Sequence, residues 1–276
     1  MASDTVTTSQ HQRALPGRSR WGFTLLELLV VVAIVGVLMS ILATTLGRVR
    51  EAARAVHCKS KLQTVAQSFQ LFADDYGQAE RGRESERLGP NRFRIEDFQD
   101  SLYQTEEFYR IDPGNLGPRP YDTGAHPLIC PDGPRELARE ASAQPAEDSI
   151  TPLENVSVGF NMRLHRASVR VQHGAIEFDV LRDVTLSVRV LDHPWTPLAF
   201  DVDGAAARRR ADPVLPFYSA PPIEATGMYA GGNFWFPSNR HAGQVHAAFL
   251  GGHVWSAREP ERAADWDWAY QPPADR

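Results

Sequence analysis

The sequence predicts an α+β fold, one long N-terminal helix packed on an antiparallel sheet that the C-terminal half supplies. Three observations carry this prediction. Between Phe23 and Leu46 the single ionisable side chain is Glu27. No proline occurs between Pro16 and Pro90, so nothing breaks a helix over that distance. Beyond residue 152 the pattern changes to short runs of Val, Phe and Leu separated by turn residues, which reads as strands.

Residues 1–22 form a basic N-terminal segment, with Arg13, Arg18 and Arg20 against Asp4. The apolar run 23–46 is long enough to cross a bilayer as one helix, which takes about 20 residues. A secretory signal fits poorly, because its apolar region is normally about 7–15 residues with the small residue behind it. Here Gly22 precedes a longer run. The basic side of the span is its N-terminal side, which predicts a cytoplasmic N-terminus, a single membrane span and an extracytoplasmic remainder.

Glu27 is the informative residue in that run. A carboxylate in the hydrocarbon layer costs about 2.5–3.5 kcal/mol and needs a partner. If the chain is cut between Gly22 and Phe23, the new α-amino group of Phe23 lies one helical turn from Glu27. The same pair can form between neighbouring copies of the helix.

Over 47–77 the helix continues as an amphipathic segment, with Val49, Ala52, Val56, Leu62, Ala66, Phe69, Phe72 and Tyr76 compatible with one face. Gly36 and Gly47 fall inside the helix, where they allow either close approach of a second helix or a joint. Residues 78–152 make an irregular connection, with a short helical turn over Phe98–Tyr103 and another helix in the PRELARE segment after Gly133. The β-rich part is 153–276. Its strands are expected at Val156–Phe160, Ser168–Gln172, Ala175–Asp179, Val184–Leu191, Pro197–Val202 and Gln244–Leu250, with hairpin turns at His173-Gly174 and at Gly251-Gly252.

The run Gly22-Phe23-Thr24-Leu25-Leu26-Glu27 behind a basic segment resembles the signature of type IV prepilins and type II secretion pseudopilins. The resemblance implies that residues 1–22 are a leader removed by a prepilin peptidase, that Phe23 becomes the N-methylated first residue, and that Glu27 is the assembly carboxylate. It also implies a pilin-like fold and, as partners, other pseudopilin subunits and an inner-membrane secretion platform. A second resemblance is to prepilin-like families of planctomycete-type bacteria. It rests on Arg50-Glu51-Ala52-Ala53-Arg54, Cys58, Lys61-Leu62-Gln63, Ile129-Cys130-Pro131-Asp132 and Val158-Gly159-Phe160-Asn161. The family's C-terminal motif, His followed by nine residues and Asp-Gly, here reads His241, nine residues, then Gly251-Gly252-His253. The Asp is replaced by Gly251. Asp-Gly and Gly-Gly both suit a type I′ turn, so the turn should survive while a carboxylate is lost.

Cys58 and Cys130 both fall on the extracytoplasmic side, where oxidation is permitted. They are either a disulfide, worth about 4 kcal/mol on the loop-entropy argument, or two buried thiols. Asp201 and Asp203, in Asp-Val-Asp-Gly, resemble the opening of a calcium loop without its later ligands, and a turn capped by Asp side chains explains them equally. Apart from that calcium no cofactor is expected. His241, His246 and His253 cluster in sequence without a carboxylate or Cys at a metal-site spacing.

The chain carries a net charge of −5 over 276 residues, and loss of the leader's three basic and one acidic residues makes it −7, which gives no support to nucleic-acid binding. No nucleophile elbow, phosphate loop or His-Glu-x-x-His motif occurs, so a structural role is expected rather than catalysis. The functional expectation is a pseudopilin-like subunit that assembles through its N-terminal helix. The alternatives are a membrane-anchored binding protein and a tethered hydrolase.

Overall fold

The computed structural model describes residues 24–78, 91–103, 119–120, 128, 130, 132–133, 136–137, 157–208 and 218–274. The chain divides into two compact units, Met1–Arg48 and Val49–Arg276. The α+β class holds, with one long apolar N-terminal helix and C-terminal sheets.

Helix α1 runs Leu25–Gln78. In the first unit its side chains are exposed, Leu25, Val32 and Leu42 among them. Ser40 and Thr45 turn their hydroxyls back to the Val37 and Leu42 carbonyls at 2.8 and 3.0 Å, so neither hydroxyl is left unsatisfied along the apolar helix. One helix of the described residues is long and apolar enough to cross a membrane.

In the second unit α1 buries Cys58, Leu62, Val65, Ala66, Phe69, Phe72 and Ala73. The expected face therefore starts later than the pattern suggested: Val49 and Val56 are exposed, and burial begins at Cys58. Phe69 and Phe72 interlock with Phe98 and Phe93 at 5.1 and 5.3 Å, edge to face, and Phe98 meets Phe160 of the sheet at 6.2 Å.

The short strand β1 (Arg92–Phe93) leads into α2 (Ile95–Tyr103), longer than the turn expected there. Asp97 accepts from the Arg94 N–H at 2.6 Å and, with Glu96, puts negative charge in the first turn. Strand β2 (Arg119–Pro120) pairs with β3 (Glu136–Leu137). Glu136 and Leu137 thus form a strand where a helix was expected, because a cross-strand partner supplies their backbone bonds; the rest of 134–152 lies outside the described residues.

The main sheet has the order β11-β10-β8-β4-β9, from β4 (Val158–Asn161), β8 (Pro197–Asp201), β9 (Tyr218–Ser219), β10 (Val245–Phe249) and β11 (Val254–Ala257). Its neighbours are antiparallel except β4 and β9, which run parallel, so the sheet is mixed. β4, β8 and β10 are buried throughout, as central strands covered on both faces should be. A separate ribbon joins β5 (Arg166–His173) to β6 (Ile176–Asp183). Its turn is Gly174-Ala175 rather than His173-Gly174, with Gly174 at φ +64 and positive φ at that first position alone. Val184–Leu191 is largely not a strand. Val184 makes a single bridge to Ala274, β7 (Leu186–Ser187) pairs with the two-residue β1, and the chain then tightens into a 3₁₀ turn over Val188–Asp192.

Candidate functional site

Two places carry functional chemistry, the start of α1 and a buried polar cluster at the edge of the core. Gly22 and Phe23 lie outside the described residues. Glu27 is exposed and accepts the Thr24 backbone N–H at 2.9 Å, while Thr24 Oγ1 accepts the Glu27 N–H at 3.2 Å. Two donors at the helix start, otherwise orphaned, are satisfied reciprocally, the Thr-x-x-Glu capping box. The Thr24-Leu25-Leu26-Glu27 spacing carried that signal, and only the charge of Glu27 was read from it.

The second place assembles residues from distant segments. Cys58 comes from the buried face of α1. Cys130 is held by its own N–H donating to Ser157 Oγ at 3.0 Å and by its carbonyl accepting from Gly133 N at 2.9 Å. Asp201 ends β8. His241 opens a two-residue turn in which Ala242 and Gly243 both take positive φ, 52° and 77°, before Gln244 bridges back to it. One donor atom from each of Cys58, Cys130, Asp201 and His241 lies within 4.8 Å of the others, and all four residues are buried.

Both cysteines are free thiols in the structure. Cys130 Sγ is 3.2 Å from His241 Nε2. The hydrogen bond with the Cys58 thiol, helped by His241, holds Cys130 well below the ordinary thiol range, against the effect of its burial. Burial, and then the negative charge on Cys130, pushes Asp201 up to about 7. Burial opposes charging of His241, but the Cys130 hydrogen bond and Asp201 raise it overall. His246 stacks on His241 at 4.7 Å and is pushed down to about 4 by burial and then by that neighbour.

Asp132 stands behind His241, its Oδ2 3.3 Å from Nδ1, and also pairs with Arg54 at 2.6 Å. Arg54 and Asp132, from two of the stretches named in the planctomycete-type resemblance, therefore meet beside this site. Asp201 Oδ2 accepts the His246 N–H at 3.0 Å, whereas Oδ1 is buried without a hydrogen-bond partner. Asp203 does something different. Its Oδ1 accepts from Ala206 N at 3.0 Å and caps the short helix α3 (Gly204–Arg208).

The C-terminal motif divides as well. His241 belongs to the cluster; Gly251, Gly252 and His253 belong to the β10–β11 hairpin. The loop is Leu250-Gly251-Gly252 with only Gly252 at positive φ, +80°, so it is a three-residue loop and not the type I′ turn expected. A Cβ at Gly251 would sit 2.7 Å from the Pro194 carbonyl, and one at Gly252 would strike Gln70 of α1. Gln63 and Gln70 donate to the Gly252 and Leu250 carbonyls, fastening this loop to the helix. His253 stacks on Phe249 at 4.8 Å against Trp195. His246 pairs in register with Ser256, away from His253.

Residues 20–43 match a family model described as the prokaryotic N-terminal methylation motif. That stretch includes Gly22, Phe23, Glu27 and most of the apolar run, and it supports a prepilin-type N-terminus, a prepilin-peptidase substrate and membrane anchoring through α1. Neither a curated protein nor a solved structure matches the chain.

Proposed function

We propose that this chain is a pseudopilin-like structural subunit of a type II secretion or type IV pilus-like fibre. A prepilin peptidase cuts between Gly22 and Phe23, Phe23 is N-methylated, and mature copies associate through α1 with their exterior units outside the inner membrane. The match of residues 20–43 to the methylation motif carries the reading. Glu27 then meets the Phe23 amine of its own or a neighbouring helix.

One observation favours a second reading, a solitary anchor that presents an exterior binding domain. The capping box with Thr24 satisfies one Glu27 oxygen within its own chain, with no neighbour needed. Two substitutions separate the readings, because Gln completes a capping box as Glu does but carries no charge. If assembly needs the charge, Glu27→Gln and Glu27→Ala both abolish the ladder of crosslinked multimers in membrane extracts. If Glu27 only caps its helix, Glu27→Gln behaves as the unsubstituted chain. N-terminal mass analysis of the membrane form is expected to return a methylated Phe23, and a Met1 start would sink the proposal.

A further inference from the structure

We propose that Cys58, Cys130, His241 and Asp201 bind one zinc ion in a closed tetrahedral site that fastens the outer part of α1 to the sheet. The site does not depend on whether α1 assembles with neighbours.

The donor set fits that ion. A tetrahedron with arms of about 2.0–2.3 Å has edges of about 3.3–3.8 Å. The Cys130 Sγ to His241 Nε2 separation, 3.2 Å, is already close to this, and the four donor atoms lie within 4.8 Å of one another. An ion would draw the widest pair together by about 1.5 Å at most. Thiolates and an imidazole select a borderline-soft cation over calcium or magnesium, which take oxygen ligands. Burial of all four donors leaves no open coordination position, so the ion would be structural.

A disulfide accounts for less of what surrounds the sulfurs. It would use Cys58 and Cys130, and leave Asp201 Oδ1 buried without a partner next to them. A divalent cation gives that oxygen its counter-charge. The groups behind the donors also match an ion's needs. Asp132 Oδ2 lies 3.3 Å from His241 Nδ1, close enough to complete a carboxylate–histidine–metal arrangement once Nε2 is on the ion, although Nδ1 makes no hydrogen bond in this structure. The His246 N–H holds the other Asp201 oxygen, and Ser157 Oγ holds the Cys130 N–H.

Binding displaces to solvent whatever protons Cys58, Cys130, His241 and Asp201 hold beforehand and moves no electrons. Two thiolates and one carboxylate around a 2+ ion leave one net negative charge. Arg240, which donates to the Ser157 and Val202 carbonyls, flanks it.

The test uses the full chain purified in detergent without chelator. Elemental mass spectrometry should return one zinc per chain, and replacement by cobalt should give sulfur-to-cobalt charge-transfer absorption with tetrahedral d–d bands. Cys58→Ser should lose both signals. In case that variant does not fold, Asp132→Asn, outside the ligand set, should keep its circular dichroism and weaken zinc about 10–100-fold in competition with a chelator. A metal-free chain whose intact mass lacks two hydrogens, the mark of a Cys58–Cys130 disulfide, would overturn the proposal. So would cobalt bound without sulfur charge transfer.

Discussion

Gly251 has no room for a side chain, since the Pro194 carbonyl sits 2.7 Å from where its Cβ would be. The Asp of the resembling families cannot be restored here without moving that loop. Gly251→Asp should lower the melting temperature of the second unit, by an amount equivalent to about 1–3 kcal/mol, the usual range for forced overpacking. A thermal melt showing no change would mean that the Pro194 segment yields freely. A second residue-scale prediction concerns acid. Burial works to raise the Glu96 carboxyl, but its pairing with His165 at 2.6 Å wins, and the group titrates below its ordinary value of 4.5. A carboxylate with a depressed folded pKa stabilises the fold above its unfolded pKa, and that stability is lost as pH falls through the folded value. Melting temperature should therefore drop below pH about 4.5, and Glu96→Gln should be less stable near neutrality with a shallower acid limb. The capping box of Thr24 and Glu27 was present in local spacing although only the charge was read from it, whereas roles set by distant packing leave no local signal. Nothing near Gly251 in the sequence names Pro194 as its obstacle.

At the scale of elements, α1 was readable in type and extent because its period runs uninterrupted, whereas its buried face was misjudged at Val49 and Val56. Periodicity reports which residues share a face; it does not report where a partner surface begins, and here burial starts at Cys58. Phe69 lies in the interlock with Phe98 and Phe93. Phe69→Ala should cost about 3–5 kcal/mol in chemical denaturation of the second unit. Leu71→Ala, on the exposed side two residues on, should stay within about 0.5 kcal/mol of the unsubstituted chain. The strands divide the same way. β4, β8 and β10 were visible as buried apolar runs, while β9 and β3 are two-residue strands defined by partners that sequence does not name.

Across the whole second unit, the buried cluster was legible only in pieces. Cys58 and Cys130 read as either a disulfide or two buried thiols, Asp201 as the opening of a calcium loop or part of a capped turn and His241 as a family landmark, because no two of the four lie at a recognisable metal-ligand spacing. Their convergence is a product of topology: α1, the Cys130 loop, the end of β8 and the turn before β10 meet only after the sheet has formed. A centre built this way should stabilise the assembled unit and not its parts. If zinc occupies it, stability should rise with free zinc by mass action, by about 2.7 kcal/mol at a hundred times the dissociation constant. Hydrogen exchange in the presence of a strong chelator should then lose protection around Cys58 and Leu62 of α1 together with β8 and β10, in one cooperative step. Loss confined to the Cys130 loop would mean that the helix is held by its aromatic face and by Gln63 and Gln70 alone.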